Sequence, residues 1–193
     1  MTQELEFMDN YKLLLAQNRV IETERLLLRP VTLEDAEDLY EYASDEENVY
    51  FVFEQYQSLE DAPFSIANFF MDQPLGKFGI ELKENNKFIG TIDLFNISPQ
   101  KMSAEMGYIL NSKYHQKGYM TEAGRALLAL GFEKMELEKI YALCDSRNRA
   151  SAGVMKKLGM KQEAHRRHHS LSKDGEWIDM LEYAILKDEY FEK

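Results

Sequence analysis

The sequence predicts an α/β fold in which a mostly antiparallel, twisted mixed sheet carries helices on both faces. Segments with helical spacing and strand-like segments follow in the order strand, two helices, three strands, helix, strand, helix, two strands. Hydrophobic residues make up 45% of the 193 residues, enough for a substantial core. The sequence has no repeats, low-complexity tracts or Pro/Gly-rich linkers, so we expect one domain at 20–193, preceded by an extra helix as an appendage at 1–19.

The individual elements follow from their apolar spacing, which has a period of two in strands and about 3.6 in helices. Strands are expected at 21–31, 78–84, 87–97, 103–110, 139–145, 161–171 and 176–186. Helices are expected at 2–17, 32–45, 58–70, 118–135 and 149–160.

Local signals mark where these elements end. Pro30 stops the first strand, and Thr32 is the expected N-cap of a helix with an acidic first turn. The pair at 85–86 is the expected turn between two strands, and Gly159 closes the last helix. A hairpin turn is expected at 173–175.

The charge balance excludes some classes of partner. There are 23 Lys and Arg residues against 34 Asp and Glu residues, so the net charge is −11, which disfavours nucleic acid and anionic membranes. Basic residues nevertheless cluster in one segment, namely Lys113, Lys117, Arg125, Arg147, Arg149, Lys156 and Lys157. We expect a small anionic ligand there, although scattered solvated charges are the alternative.

Cysteine content and hydropathy indicate a cytoplasmic protein. The single cysteine, Cys144, excludes an intrachain disulfide and a cysteine-rich zinc site. No run approaches the roughly 18 apolar residues that span a bilayer. The acidic N-terminal stretch "MTQELEFMDN" does not resemble a signal peptide.

The stretch "YHQKGYMTEA" at 114–123 places a lysine and a glycine where a polar loop enters a helix. The first N–H groups of a helix lack partners within it, and its N-terminus carries about half a positive charge. Gly118 allows close approach of the backbone, and Lys117 adds a charge. This predicts an anion site, with an ordinary capped helix as the alternative. The string of a nucleotide P-loop is absent.

Four motifs occur in order: "ETERLLLRP" (22–30), "AEMGYIL" (104–110), "KGYMTEA" (117–123), and Asn148-x-x-Ser151-x-x-Val154-x-x-Lys157-x-Gly159-Met160. Together they resemble the GNAT superfamily of acyl-CoA-dependent N-acetyltransferases, in the RimJ/RimL branch that modifies protein N-termini. The resemblance covers about residues 20–187 and implies a GNAT-like fold.

The resemblance implies acetyl-CoA as co-substrate and no metal. The loop at 115–120 would wrap the pyrophosphate, and the strand at 104–110 would splay from its neighbour and offer backbone groups to the pantetheine arm. Asn148 would bond the pantetheine amides, or serve only as an N-cap, and Lys157 would meet the 3′-phosphate or adenine. The implied cofactor-binding residues are Ile109, Leu110, Gln116, Lys117, Gly118, Tyr119, Met120, Thr121, Asn148 and Lys157.

The motif at the loop departs from the family pattern at both ends. His115 stands where the family has Gln or Arg, and it is fully charged only in acid. Met120 stands at a small-residue position, which is tolerable if its side chain points into the core.

Acetyl transfer from a thioester to an amine needs a base and a stabilised thiolate. Glu105 is the expected base, on the same strand face as Ser103 and Gly107, with a solvated glutamate as the alternative. Many relatives carry a leaving-group tyrosine at the position of Met155, and a thioether cannot donate a proton. The branch implies that Ser151, one helical turn earlier, takes that role, unless it only bonds the first turn of its helix.

Histidines and aromatic residues offer weaker hypotheses. Strict alternation would place His165 and His169 on one face and His168 on the other, which argues against a metal site. The aromatic residues could line an acceptor cleft or belong to the core; they are Tyr50, Phe51, Phe53, Tyr56 and Trp177.

The expected function is transfer of the acetyl group of acetyl-CoA to a primary amine, and the first hypothesis for this acceptor is the α-amine of a protein or peptide. A small cationic acceptor such as a polyamine or an aminoglycoside is a second hypothesis, and an acetyl-CoA-binding module without turnover is a third. The presence of Glu105 and Ser151 argues against the third. We expect a monomer or homodimer that binds neither nucleic acid nor membrane.

Overall fold

The computed structural model describes residues 11–172 and 175–192. Its strands are β1 (Ile21–Glu22), β2 (Leu26–Arg29), β3 (Lys77–Leu82), β4 (Lys87–Ser98), β5 (Ser103–Leu110), β6 (Lys139–Asp145), β7 (Lys161–Leu171) and β8 (Trp177–Leu186). Its helices are α1 (11–17), α2 (Ala36–Ala43), α3 (Glu46–Val49), α4 (Asp61–Ser65), α5 (Tyr119–Ala129), α6 (Arg149–Lys157) and α7 (Lys187–Phe191). Single 3₁₀ turns lie at Leu33–Asp35 and Ser112–Tyr114, and π-helical turns extend α4 over Ile66–Met71 and α5 over Leu130–Lys134.

The strands form one mixed sheet in the order β1-β2-β3-β4-β5-β6-β8-β7. Strands β5 and β6 are parallel, and each other neighbouring pair is antiparallel. The parallel pair is joined through α5, as a parallel connection requires a long crossover. The predicted fold class is therefore confirmed.

Helices cover both faces of this sheet, and β5 therefore has buried residues on both sides. Ala104 and Met106 pack in one cluster with residues of α5 and α6. Ile109, on the opposite face, packs in a second cluster with α2 and α4. Each large apolar side chain so buried contributes about 1.5–3 kcal/mol to folding. The two faces are thus fixed by alternation along a single strand.

Helix α1 packs on the first of these clusters through Leu15, whose side chain is 2% exposed. The predicted helix at 2–17 is described only from residue 11, because 1–10 lie outside the described residues. The division of the chain at residue 20 stays a prediction.

Two predicted elements differ from the structure, and one helix was missed. The single strand expected at 21–31 is wrong, because a turn closed by the 2.9 Å bond from Thr23 N–H to the Leu26 carbonyl divides it into β1 and β2. The helix expected at 32–45 ends at Ala43, and Asp45 then caps the separate helix α3 by accepting from Glu47 N–H. Helix α7 was not predicted.

The alternation expected for the histidines is also wrong, because β7 contains a bulge. Residues 166 and 170 of β7 pair with 180 and 178 of β8, so β7 carries two extra residues there. His168 takes a φ of +50° within the bulge. His165 lies on the face of Leu181 and Asp179, while His169 lines a cavity on the other face. The hairpin turn predicted at 173–175 lies partly outside the described residues.

Candidate active site

Glu105 lies in a polar cavity where β5 and β6 are still paired. Its neighbours across the sheet are Phe95 on β4 and Tyr141 on β6. The cavity has a volume of about 440 Å³, and its charged lining comprises Lys101, Glu105, Lys139, Arg166, His169 and Glu182.

Two side chains hold the Glu105 carboxylate. Asn96 Nδ2 donates to Glu105 Oε2 at 2.8 Å. Tyr141 also bonds Glu105, and the pKa of its phenol is raised by burial first and then by the charge and hydrogen bond of Glu105. These two contacts fix the position of the carboxylate at the wall of the cavity.

The loop before α5 presents open backbone at a helix N-terminus. Gly118 is the N-cap of α5 with φ +82°, and Gln116 has φ +61°. A Cβ added at Gly118 would meet only Arg25 Nη2, at 3.5 Å, so the backbone here can be approached closely. The side chain of Lys117 is exposed and lies 5.1 Å from the Tyr114 ring centre.

Strands β5 and β6 diverge beyond the cavity. They pair only from Ser103 to Glu105 on β5 and from Lys139 to Tyr141 on β6. Ile109 and Leu110 lie past the last pair, so the side of β5 that faces β6 is open there. Such a gap exposes backbone hydrogen-bonding groups that an extended ligand with amides can use.

Ser151 lies at the start of α6 beside a tyrosine from β5. Asn148 Oδ1 accepts from Ser151 N–H at 3.0 Å, so Asn148 is the N-cap of α6. Ser151 Oγ is 2.9 Å from the hydroxyl of Tyr108. The serine hydroxyl therefore has a partner outside its own helix. Met155, one turn later, is 1% exposed and packs in the core.

Comparison with known proteins identifies the family. The profile described as Acetyltransferase (GNAT) domain matches residues 25–161. This chain is a GNAT acetyltransferase. It is 35% identical over 170 residues to the uncharacterised N-acetyltransferase YnaD of Bacillus subtilis (strain 168), a match that covers 88% of this chain and 98% of YnaD.

Solved structures agree with this assignment. A GNAT-family acetyltransferase from Bacillus anthracis matches with a TM-score of 0.79 at 32% identity, over 88% of this chain and 99% of that one. A spermidine N-acetyltransferase from Vibrio cholerae, solved with CoA and spermine, matches with a TM-score of 0.73 at 20% identity, over 88% and 99% of the two chains. Likeness at the latter identity shows the fold alone. As a GNAT acetyltransferase, the protein uses acetyl-CoA as its co-substrate.

The elements of this GNAT acetyltransferase fit that co-substrate. Open N–H groups at Gly118 suit a pyrophosphate, and the gap beside Ile109 and Leu110 suits a chain of amides. Tyr119 and Thr121 belong to the first turn of α5, and Lys157 is exposed at the last turn of α6. The role of each of these residues stays a prediction.

The two departures from the family pattern have structural explanations. Met120 is 6% exposed and belongs to the core cluster, so its side chain points inward as its position required. His115 Nε2 lies 3.0 Å from the Leu110 carbonyl oxygen, which ties the loop to the end of β5.

An ion pair that the sequence did not reveal connects the β1–β2 turn to the loop before α5. Arg25 donates from Nε to Glu122 Oε2 at 2.7 Å and from Nη1 to the Lys117 carbonyl at 3.0 Å. Burial opposes ionisation of Glu122, but hydrogen bonds from Thr23 and Arg25 outweigh it and lower the pKa of Glu122. The ion pair neutralises a carboxylate that would otherwise repel an anion. Arg25 and Glu122 both lie in motifs that resemble the family, but they are 97 residues apart, so their pairing could not be predicted from the sequence.

A second carboxylate also escaped sequence analysis. Asp93 faces Lys77 on one side and Gly107 on the other, on the same sheet face as Glu105. A Cβ at residue 107 would lie 2.9 Å from Asp93 Oδ1, so glycine makes room for this side chain. Burial, assisted by the charge of Glu105 and opposed by Lys77, raises the pKa of Asp93 to about 7. A charged residue within the apolar run "IGTIDLF" was the available signal.

The aromatic candidates divide between core and surface. Phe53 and Tyr56 pack against the second core cluster. Tyr50 and Phe51 are 41% and 39% exposed, and the Arg147 guanidinium lies 5.8 Å from each ring centre. Trp177 is exposed and stacks on His168.

Neither a metal-binding cluster nor a membrane-spanning helix is found within residues 11–172 and 175–192. In that part of the chain, no group of three or more His, Cys, Asp or Glu side chains is arranged to hold a metal ion. No helix there combines the length and apolar character needed to cross a membrane.

Proposed function

We propose that this GNAT acetyltransferase belongs to the RimJ/RimL-like branch and acetylates the α-amine of a protein or peptide N-terminus by direct attack, with Glu105 as general base. The observation that carries the proposal is the position of Glu105. Its carboxylate is bonded to Asn96 and faces a polar cavity large enough for the first residue of a peptide. The cavity adjoins the point where β5 and β6 separate.

The free-energy cost of deprotonating the acceptor favours an α-amine. At pH 7.4, deprotonating an α-amine of pKa about 7.8 costs about 0.5 kcal/mol, whereas a lysine of pKa about 10.4 costs about 4 kcal/mol. One glutamate, directly or through water, is adequate for the first task. This difference favours N-terminal acceptors without excluding others.

Ser151 is the proposed partner of the leaving group. Its hydroxyl lies at the N-terminus of α6, where the helix dipole favours negative charge. Met155, in the position that carries a tyrosine in many relatives, is buried and cannot donate a proton. Ser151 therefore supplies the hydrogen bond that a developing thiolate requires.

The proposed cofactor contacts follow the same elements. Backbone groups from Gln116 to Thr121 hold the pyrophosphate, and those of Ile109 and Leu110 meet the pantetheine arm. The amide nitrogen of Asn148 is the group left for the pantetheine once its oxygen caps α6. Lys157 contacts the 3′-phosphate or adenine. A cytoplasmic location is proposed with this activity, in keeping with the free thiol of Cys144.

A small cationic amine is the second candidate. The net charge of −11 and the carboxylates of Glu105 and Glu182 in the cavity favour a cationic acceptor of any size. Arg166 and Lys139 pair with Glu182, however, and reduce its share in such binding. We therefore rank this candidate below the α-amine.

The decisive experiment measures thiol release from acetyl-CoA with a colorimetric disulfide reagent. Acceptors are peptides with free or blocked N-termini, each with and without lysine, together with polyamines and aminoglycosides. We expect turnover with free N-termini and none with blocked peptides that contain lysine. Turnover confined to polyamines or aminoglycosides would replace the first proposal with the second, and acetyl-CoA binding with no turnover would leave a binding module.

Glu105→Gln tests the base. It should lower turnover at neutral pH by roughly ten- to a thousandfold and leave acetyl-CoA affinity nearly unchanged, because only proton transfer is lost. The deficit should shrink at high pH, where the amine deprotonates unaided. Glu84→Gln, an exposed glutamate in the β3–β4 turn, is the matched control. A Glu105→Gln variant as active as the wild type would remove Glu105 from the mechanism.

A further inference from the structure

The hydroxyl groups of Tyr108 and Ser151 form a half-buried pair on the sheet face opposite Glu105. The two oxygens are 2.9 Å apart, and the Tyr108 hydroxyl also lies 3.0 Å from the Ser151 carbonyl oxygen, to which it can donate. Cys144, whose side chain is 5% exposed, is the third polar neighbour and hydrogen bonds to Ser151. Tyr108 comes from β5, so the sheet itself fixes its position.

The two hydroxyl groups can arrange their hydrogen bonds in two ways. Each hydroxyl has one hydrogen to donate and two lone pairs to accept with. When Tyr108 donates to the Ser151 carbonyl, the Ser151 hydrogen turns to the tyrosine oxygen and is occupied. When Tyr108 donates to Ser151 Oγ, the Ser151 hydrogen is free to point elsewhere. A negative charge close to Ser151 favours the second arrangement.

We propose that Tyr108 is a positioning residue for Ser151, donating to its Oγ so that the serine hydrogen is directed at the sulfur of the departing coenzyme. This inference rests on the proposed function, in which Ser151 faces that sulfur. A hydroxyl that already accepts a hydrogen bond is a stronger donor, because successive hydrogen bonds polarise one another. Tyr108 therefore acts through Ser151 and does not touch the reacting atoms.

Acetyl transfer takes place without loss of a proton from Tyr108. The bond from amine nitrogen to acetyl carbon forms, the carbon–sulfur bond breaks, and its electron pair stays on sulfur. The amine proton passes to Glu105, and the thiolate later takes a proton from solvent. Burial raises the pKa of Tyr108 above its usual range, so the phenol remains a donor throughout.

Titration of bound CoA tests this at equilibrium and needs no acceptor. The ultraviolet absorbance of the thiolate is followed from pH 7 to 10 with CoA bound, against ligand-free protein at each pH because Cys144 also carries a thiol. Wild-type protein should lower the pKa of the CoA thiol. Tyr108→Phe should reduce the thiolate-to-thiol ratio by about twofold to tenfold, the value of one hydrogen bond.

A double variant separates this role from general packing. In the Ser151→Ala background, Tyr108→Phe should cause no further change, because the serine through which it acts is gone. Tyr183→Phe, which removes a buried hydroxyl bonded to Gln162, should leave the titration unchanged. Binding of CoA that lacks its sulfur should be the same in all variants. Should Tyr108→Phe fail to fold, fluorotyrosine at position 108, a stronger donor, should shift the titration in the opposite direction.

Several outcomes would overturn the inference. A Tyr108→Phe titration identical to the wild type, or an equal loss in the presence and absence of Ser151, would show that Tyr108 does not act through the serine. If the titration behaves as expected but no acceptor in the panel turns over, the positioning role stands and the proposed function fails.

Discussion

Asp93 makes the stability of this acetyltransferase depend on pH in an unusual direction. Its pKa of about 7 in the folded protein lies well above that of an unfolded aspartate, about 3.9. A group whose pKa is raised by folding stabilises the protein when protonated, so its contribution is complete below about pH 4 and is lost as the pH rises through 7. The Asp93→Asn variant stays neutral and carries no such loss.

The size of the effect follows from the difference between the two pKa values. Three pKa units at 1.36 kcal/mol each correspond to about 4 kcal/mol, a value that already includes the opposing charge of Lys77. Asp93→Asn should thus gain stability relative to wild type between pH 4 and 7, and the gain should level off above pH 8. The free energy of unfolding by urea, measured at intervals from pH 4.5 to 8.5, gives this difference directly.

A variant with the opposite sign provides the control. Burial opposes ionisation of Asp145, but its hydrogen bonds with Arg147 lower its pKa, so it stabilises the protein above its unfolded pKa and this is lost in acid. Asp145→Asn should be less stable than wild type at neutral pH, with a gap that closes on acidification. A stability difference between Asp93→Asn and wild type that is constant with pH would refute the reasoning about Asp93.

Three further variants test the anion loop, α1 and the N-cap of α6. Gly118→Ala forces a side chain into φ +82° at a cost of about 1–2 kcal/mol and should weaken acetyl-CoA binding by calorimetry, whereas Gly153→Ala, in a helix with open space around it, should do neither. Leu15→Ala should lower the free energy of unfolding by about 2–5 kcal/mol, and a negligible loss would show that α1 is dispensable to the core. Asn148→Ala should cost about 0.5–2 kcal/mol in the same assay through loss of its bond to the backbone, and unchanged stability would contradict the cap.

The sequence revealed most where structure is local. Strands β5 and β6 begin and end at the predicted residues because period-two alternation and flanking turns depend only on neighbours. The loop at Gly118 and the cap at Asn148 were visible for the same reason. Glu105 was placed on its strand face correctly, although its bond to Asn96 across a bulge was not foreseen.

The sequence did not predict contacts between distant residues or the bulge that adds two residues to β7. The pairing of Arg25 with Glu122 joins residues far apart in the chain, and Tyr108 meets Ser151 only because α6 packs on β5. His169 lies among the unpaired residues of the β7 bulge, where the φ of +50° at His168 interrupts the alternation, so it lines the face opposite to the one predicted. The raised pKa of Asp93 depends on burial by several elements at once.

The divergence of β5 from β6 reverses the usual pattern of amide hydrogen exchange across a sheet. In most sheets the central strands are the last to exchange their amide hydrogens with solvent, and the margins are the first. Here three residue pairs join the five-strand and three-strand parts of the sheet, and beyond Glu105 and Tyr141 the edges of β5 and β6 that face each other are unpaired. A short strand pairing therefore lies in the middle of the sheet, between its two larger parts. A ligand bound between β5 and β6 takes the place of a strand there. Binding should therefore slow amide hydrogen exchange most in these two central strands and least in the edge strands.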